Sequence, residues 1–358
     1  MAPRRYRTGS DELDAAILEL IAKAGVDHDA DLLFEMLVSA LRLAREDVTR
    51  GDRKLVNAAL KELRYSFQVF APYRNVRKCS IFGSARTKPD TAIYRAAQEF
   101  AARLAAENWM IITGAGPGIM AAGIEGAGAA NSFGVNILLP FEQSAHDVIA
   151  GDPKLINFRY FFTRKLTFVK ESHAFCLCPG GFGTMDEAFE ALTLMQTGKA
   201  YLAPVILLDE PGGNYWQRWL HFVEEELLAD GYISPRDVKL LTIADDPKTA
   251  VDAICHFYST YHSMRWVGSR LILRLQREVS DDELEELNAE FSDIVVSGAI
   301  TRVPVTEPEA EDNDVVELPR LALRFDRSSY ARLRELIDRL NERTPLPPAT
   351  LSRPGDTQ

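Results

Sequence analysis

Cysteine and histidine are scarce in this chain: four cysteines (Cys79, Cys176, Cys178 and Cys255) and six histidines in 358 residues. There is no C-x-x-C pair and the histidines are scattered, which argues against a zinc site. Cys176 and Cys178 fall on one face of an apolar, strand-like run, where buried reduced thiols are expected in place of a disulfide framework. Long apolar runs are also lacking. Nothing approaches the roughly 18 uncharged apolar residues of a membrane span, and the leading "MAPRRYRTGSDELDAA" has basic residues with no apolar h-region behind them. A soluble, cytoplasmic protein with no membrane partner is therefore expected. Basic charge is in deficit, 41 Lys and Arg against 52 Asp and Glu for a net charge of -11. That balance argues against a nonspecific nucleic-acid binder, which needs a basic surface to displace counterions from phosphates. A small anionic ligand in a locally positive pocket stays open. Both familiar nucleotide fingerprints are missing as well: the stretch from Gly114 reads G-A-G-P-G-I, and no lysine follows the glycines as in a P-loop. An NAD-dependent or ATP-hydrolysing enzyme is disfavoured.

What is present has the grammar of an α/β protein. At 46% hydrophobic and 26% charged, the chain can build a sizeable core with extensions. Residues 11 to about 70 keep a 3.6-residue apolar period through Leu32, Leu33, Met36, Leu37, Ala40, Leu41 and Ala44, with breaks near Gly25 and Gly51 and a stop at Pro72. From residue 76 the runs "CSIFG", "WMIITG", "GVNILLP", "AFCLCPG" and "PVILLD" alternate with helix-type patterns. This alternation predicts a Rossmann-like parallel sheet with helices on both faces. Beyond about 262, "SRLILRLQR", "AITRVPV" and "LPRLALRFD" read as strands, and "SDDELEELNAEFSDIV" and "SSYARLRELIDRLNER" as helices. The acidic "TEPEAEDNDVVE" between them reads as a solvated loop. The expected organisation is a helical N-terminal extension over 1–74, the Rossmann-like domain over 75–262, a small α+β domain over 263–345, and a disordered tail over 346–358.

Glycine collects where strands should hand over to helices. "IFGSAR" places Gly83 and Ser84 after the first strand, "IITGAGPGIMAAG" places Gly114, Gly116 and Gly118 after the second, and "CPGGFGTMDEAFEALTLM" places Gly180, Gly181, Phe182, Gly183 and Thr184 before a helix. In an open parallel sheet ligands bind beyond the carboxyl ends of the strands. Glycine there lets the backbone approach a phosphate, and the first helical N–H groups supply donors. One such turn can equally be a packing device; three at successive strand ends point to a phosphate cradle.

"PGGFGTMDE", preceded by "FFTRKLTFVKES" and "GAGPGIM", resembles the Lonely Guy family of phosphoribohydrolases, proteins often mislabelled lysine decarboxylases, whose signature is P-G-G-x-G-T-x-x-E with an upstream Arg-Lys pair. The resemblance covers roughly residues 76 to 260. It implies hydrolysis of the N-glycosidic bond of a nucleoside 5'-monophosphate, such as AMP, another purine or pyrimidine nucleotide or a cytokinin riboside monophosphate, to free base and ribose 5-phosphate. It also implies a Rossmann-like fold and a homo-oligomer, dimer or higher, with the active site near a subunit interface. Arg164 and Glu187 match the catalytic pair and Thr193 a substrate contact, and the neighbouring Lys165 can bind phosphate.

The chemistry suits these residues. Breaking a ribosyl C1'–N bond builds positive charge on the sugar, which a carboxylate such as Glu187 can stabilise while it orients or deprotonates the water. Arg164 can hold phosphate or stabilise the departing base. No redox cofactor or metal is needed, and nothing specifically supports a pyridoxal phosphate lysine. Arg164 and Lys165 as a solvated helix face, or Glu187 as a helix-start residue, are the plainer alternatives. Asp186 and Glu190 read as solubility or packing residues, and Tyr160, Phe161 and Phe162 as core or interface. The alternative from another class is a noncatalytic nucleotide sensor using the same pocket. The segment beyond residue 262 is expected to modulate assembly or activity without supplying catalytic groups.

Overall fold

The computed structural model describes residues 6–138 and 147–342, so the expected tail over 346–358 and the end of "GVNILLP" lie outside the described residues. The chain divides into two compact units, Met1–Tyr65 and Ser66–Gln358. In the first, α1 (Asp11–Lys23) and α2 (Ala30–Arg45) are followed by the start of α3 (Arg50–Phe70). Ser10 caps α1 by accepting from the Leu13 N–H, and Ile17, Ile21, Phe34 and Val38 form a small core. Pro72 follows α3 at once, as the break in periodicity requires.

The second unit is built on β1 (Lys78–Phe82), α4 (Ala92–Ala106), β2 (Met110–Thr113), α5 (Ile119–Ala127), β3 (Ser132–Ile137), β4 (Leu155–Phe158), α6 (Phe161–Glu171), β5 (Ala174–Leu177), α7 (Phe182–Gln196), β6 (Val205–Leu208), α8 (Tyr215–Phe222), β7 (Leu241–Ala244) and α9 (Pro247–Phe257). Seven strands form one sheet in the order β4-β3-β2-β1-β5-β6-β7, every pairing parallel. Every residue of β1, β2, β5 and β6 is buried, which is why these strands read as mainly apolar runs, with Lys78, Ser80 and Thr113 as buried polar members. The two strands the sequence pattern does not announce, β4 and β7, are the edges, only partly buried. The chain builds outward from β1 to β4, then returns to β5 and builds outward to β7. The direction therefore reverses between β1 and β5, and right-handed crossovers put the helices of the two halves on opposite faces.

A second, antiparallel sheet runs in the order β10-β11-β9-β8, made of β8 (Tyr261–Val267), β9 (Arg270–Leu275), a two-residue β10 (Thr301–Arg302) and β11 (Arg320–Leu323). With it go α10 (Asp281–Glu290), started by a Ser280–Glu283 capping box, the short α11 (Glu307–Glu311) and α12 (Tyr330–Asn341). The acidic segment is not a solvated loop. Glu309 is fully buried, its carboxylate accepting from Arg274 (2.8 Å) and Arg320 (3.2 Å), two arginines almost as buried on the paired strands β9 and β11. Two buried cations require an anion, and this segment supplies it.

This second sheet belongs to the same compact unit as the first. The buried Asn341 side chain accepts from the Thr260 (2.8 Å) and Tyr261 (3.0 Å) N–H groups and donates to the Phe257 carbonyl (2.6 Å), fastening the end of α12 to the turn between α9 and β8. Tyr330 lies over Gly198, just past the end of α7. Among the described residues, no helix is long and apolar enough to cross a membrane.

Candidate active site

The reversal between β1 and β5 brings two of the glycine turns side by side. The Ser84 N–H donates to the Pro179 carbonyl (3.1 Å), and the Ser84 carbonyl accepts from the Ile119 N–H (3.1 Å). One residue thus ties the turns after β1, β2 and β5 together. Gly83, Gly118 and Gly180 are demanded by this packing. A Cβ on Gly83 would lie 2.6 Å from Ile119, one on Gly118 would strike the Ser84 carbonyl, and one on Gly180 the Thr184 hydroxyl. Gly118 also has φ 70°, and Ala115 nearby takes φ 60° although it is not glycine, a local strain typical of ligand loops.

Gly181 and Gly183 are different: a Cβ on either meets nothing within 4 Å. Both are exposed at the start of α7, where the Thr184 N–H turns back to the Gly181 carbonyl (3.1 Å) and the N–H groups before it have no carbonyl behind them inside the helix. This is an exposed helix N-terminus with backbone donors, suited to an anion. Behind it the Tyr215 hydroxyl donates to the Gly180 carbonyl (2.6 Å), and Tyr215 is itself set by the buried Asp209, which accepts from its N–H (2.8 Å). Neither residue stands out in the sequence; an aspartate closing an apolar strand before a glycine-rich turn is the available signal.

Arg164 comes from the first turn of α6. Its Nε donates to the Val135 carbonyl (2.9 Å), and its Nη2 points at Gly114, where a Cβ would come within 2.5 Å. Met120 Sδ would crowd the same Cβ at 2.6 Å, so Gly114 keeps open the space that the guanidinium occupies. Gly116 has a parallel relation to the tip of Met120, at 2.8 Å.

Glu187 lies on α7 with its side chain about 10% exposed. Burial pushes its carboxyl up to about 7, against the pull of Lys165 and Arg164 and with repulsion from Glu190 and Asp186. Arg164 and Glu187 are thus within electrostatic reach of one another beside the cradle. Lys165, expected at the phosphate, stands among carboxylates: its Nζ is 2.7 Å from Glu190, 2.9 Å from Asp186 and 3.7 Å from Glu187. Burial alone would lower the lysine, but the hydrogen bonds it donates to Glu190 and Asp186, with the charges of Glu187 and Glu190, outweigh it and hold it above its ordinary value. Asp186 and Glu190, read from the sequence as solubility or packing residues, therefore organise a charge cluster. Thr193 is six residues past Glu187, about 9 Å along the axis and on another part of the helix circumference. The structure does not bring it to the others; it is exposed.

The aromatic run before Arg164 is not core. Phe161 and Phe162 are half exposed, Tyr160 stacks on Phe162 with ring centroids 5.4 Å apart, and Phe182 at the rim of the cradle is 97% exposed. Among the described residues no group of His, Cys, Asp and Glu has the geometry of a metal site, and all four cysteines are free thiols.

A family model described as "Possible lysine decarboxylase" matches residues 118–254, which span the Gly118 turn, Arg164 and the cradle. A Mycobacterium tuberculosis protein named cytokinin riboside 5'-monophosphate phosphoribohydrolase is 31% identical over 164 residues, covering 44% of this chain and 82% of that protein. A probable enzyme of the same name from Oryza sativa subsp. japonica is 29% identical over 202 residues, covering 53% and 78%. Among solved structures, the molybdenum cofactor carrier protein of Chlamydomonas reinhardtii aligns at 20% identity with a TM-score of 0.34, covering 50% of this chain and 96% of that one. A likeness of that depth says nothing about ligand or activity. The match to the mycobacterial relative extends over most of that protein's length, and with it the chain belongs to the Lonely Guy family of phosphoribohydrolases.

Proposed function

We propose that the protein hydrolyses the N-glycosidic bond of a nucleoside 5'-monophosphate to free base and ribose 5-phosphate. The observation that carries this reading is the convergence of Arg164 and Glu187 beside a glycine cradle whose open face the fold itself does not need. The names of the relatives support the same chemistry. The 5'-phosphate sits on the N–H groups around Gly181, Phe182, Gly183 and Thr184, with the turns at Gly83–Ser84 and Gly114–Gly118 closing the far wall. That fixes the ribose toward Glu187 and the base toward Arg164.

In the reaction the C1'–N bond breaks, its electron pair leaving with the base, while a water oxygen bonds to C1' and gives up its proton. Ionised Glu187 faces the developing sugar cation and accepts that proton, Arg164 stabilises the negative charge gathering on the base, and the proton then passes to the departed base nitrogen, which gives the free base and restores the carboxylate. Burial raises the proton affinity of Glu187 to about 7, which makes it an effective base near neutrality. The exposed Phe161, Phe162, Leu166, Phe182 and Phe189 of α6 and α7 support a homo-oligomer joined close to the site. The four free thiols fit a reducing compartment, the cytoplasm. The second sheet supports the core without contributing reacting groups.

The test is to incubate the purified protein with a panel of nucleoside monophosphates and their nucleosides and to follow ribose 5-phosphate. Cleavage of monophosphates far ahead of nucleosides is expected, because phosphate contacts supply the energy that positions the ribose. Equal turnover of AMP and adenosine contradicts the cradle; no release from any nucleotide leaves a binding protein, not an enzyme.

A further inference from the structure

Lys165, expected at the phosphate, is surrounded by carboxylates. Its Nζ is closely bonded to Glu190 (2.7 Å) and Asp186 (2.9 Å), one turn apart on α7, and stands 3.7 Å from Glu187 between them in sequence. The lysine side chain is 15% exposed, Glu190 31% and Asp186 60%, so the contact with Glu190 is partly desolvated while that with Asp186 lies at the solvent edge. The two short contacts engage two of the three ammonium donors. The Glu187 distance is beyond a hydrogen bond.

We infer that Lys165 is a positioning residue for Glu187 and not a phosphate ligand: clamped by Asp186 and Glu190, its ammonium stands where it steers the Glu187 carboxylate electrostatically while taking neither of its oxygens. This rests on the hydrolase reading, since the role assigned is to leave Glu187 available to the water and the ribose. The spacing explains the acidic pattern that follows the glycines. Asp186 and Glu190, at i and i+4, project from one side of α7 toward α6 and grip the lysine, and Glu187 is placed beside the grip. A lysine without the clamp would swing onto Glu187 and occupy it as a direct ion pair. A clamp without the lysine would leave three carboxylates facing one another.

The charged groups facing Glu187 are Lys165 and Arg164 from α6 and Asp186 and Glu190 from its own helix. Their effects on its proton are opposite in sign and separable by substitution. Lys165→Met removes a cation and raises the proton affinity of Glu187. Glu190→Gln removes an anion and half of the clamp, which lowers it.

The experiment is a carbon-13 NMR titration of full-length protein labelled at glutamate Cδ, with the Glu187 resonance identified by its absence in Glu187→Gln. AMP and adenosine kinetics are measured across the same pH range. Lys165→Met is expected to move the Glu187 midpoint up, and Glu190→Gln to move it down, each by about one pH unit. The acidic limb of kcat should follow in the same directions, and the preference for AMP over adenosine should persist. If Lys165→Met does not fold, Glu190→Gln carries the test alone. Midpoints that stay at the wild-type value overturn the inference. So does a Lys165→Met variant whose KM for AMP rises tenfold or more, with the preference over adenosine lost and the midpoint unmoved, because that is the behaviour of a phosphate ligand. A wild-type protein that cleaves no nucleotide, while the midpoints move as stated, overturns the hydrolase reading and leaves the placement of Lys165 standing.

Discussion

Gly181→Ala separates what the fold requires from what the ligand requires. The backbone at Gly181 has φ -93° and ψ -154°, an extended conformation open to alanine, and the added methyl meets no atom within 4 Å. The folded protein should therefore be unharmed, or stabilised by roughly 0.4–1 kcal/mol because alanine narrows the unfolded ensemble. The bound nucleotide has a different experience, because the methyl stands where a phosphate oxygen must approach the first N–H groups of α7. Loss of one hydrogen bond to a charged group is worth about 1.5–3 kcal/mol, which converts to a rise in KM for AMP of roughly 10- to 150-fold. Adenosine has no phosphate to place, so its slower hydrolysis should change little, and the two substrates should converge. The assay is kcat/KM for AMP and adenosine together with the thermal midpoint of both proteins. Wild-type KM for AMP in a correctly folded Gly181→Ala variant would refute the cradle as the phosphate site. A drop in the midpoint would refute the claim that the fold does not need this glycine.

Three other outcomes can be measured. Burial raises Glu187 from its ordinary 4.5 to about 7, so the folded state holds a proton that the unfolded chain releases, and stability falls as pH rises through that window. Glu187→Gln should thus stabilise the protein by up to about 3 kcal/mol at pH 8, from 2.5 units at 1.36 kcal/mol each, and hardly at pH 4. Turnover should fall by roughly two orders of magnitude; a stability gain equal at both pH values is the contrary result. Gly114→Ala pushes the Arg164 guanidinium aside at its flexible end, so it should cost little stability while lowering kcat by about 10²-fold; unchanged kcat would remove Arg164 from the mechanism. Glu309→Ala leaves Arg274 and Arg320 buried without their anion and should cost about 3–5 kcal/mol in denaturant unfolding. A loss below about 1 kcal/mol would show water reaching them.

The sheet and the glycine turns were legible because their causes are local. Strands buried on both faces are mainly apolar, and a strand-to-helix turn that approaches another backbone must be glycine. Gly118 and Gly180 obey that logic against Ser84 and Thr184. The edge strands β4 and β7 were not legible, because partial burial relaxes the demand for an apolar run. The arrangement around Lys165 was hidden for another reason. Asp186 and Glu190 look like any acidic helix start until α6 is packed against α7, since the contact spans 25 residues of sequence between Lys165 and Glu190. The buried Glu309 was masked likewise: in composition its segment is a solvated loop, and only the pairing of β9 with β11 sets two arginines beside it.

Asn341 has a bearing on biosynthesis. Its amide satisfies the backbone of Phe257, Thr260 and Tyr261, which lie 80 to 84 residues earlier in the chain. As the polypeptide leaves the ribosome, the parallel sheet can assemble while this turn still has open N–H groups and the aromatic side chains of Phe257 and Tyr261 lack their cover from α12. Until α12 emerges, the nascent chain is expected to hold its parallel sheet with this seam unsealed, a state that would be open to capture by chaperones or by other chains. A chain stopped at His262 would be arrested at that stage and should be recovered as aggregate, whereas one that reaches residue 342 can close.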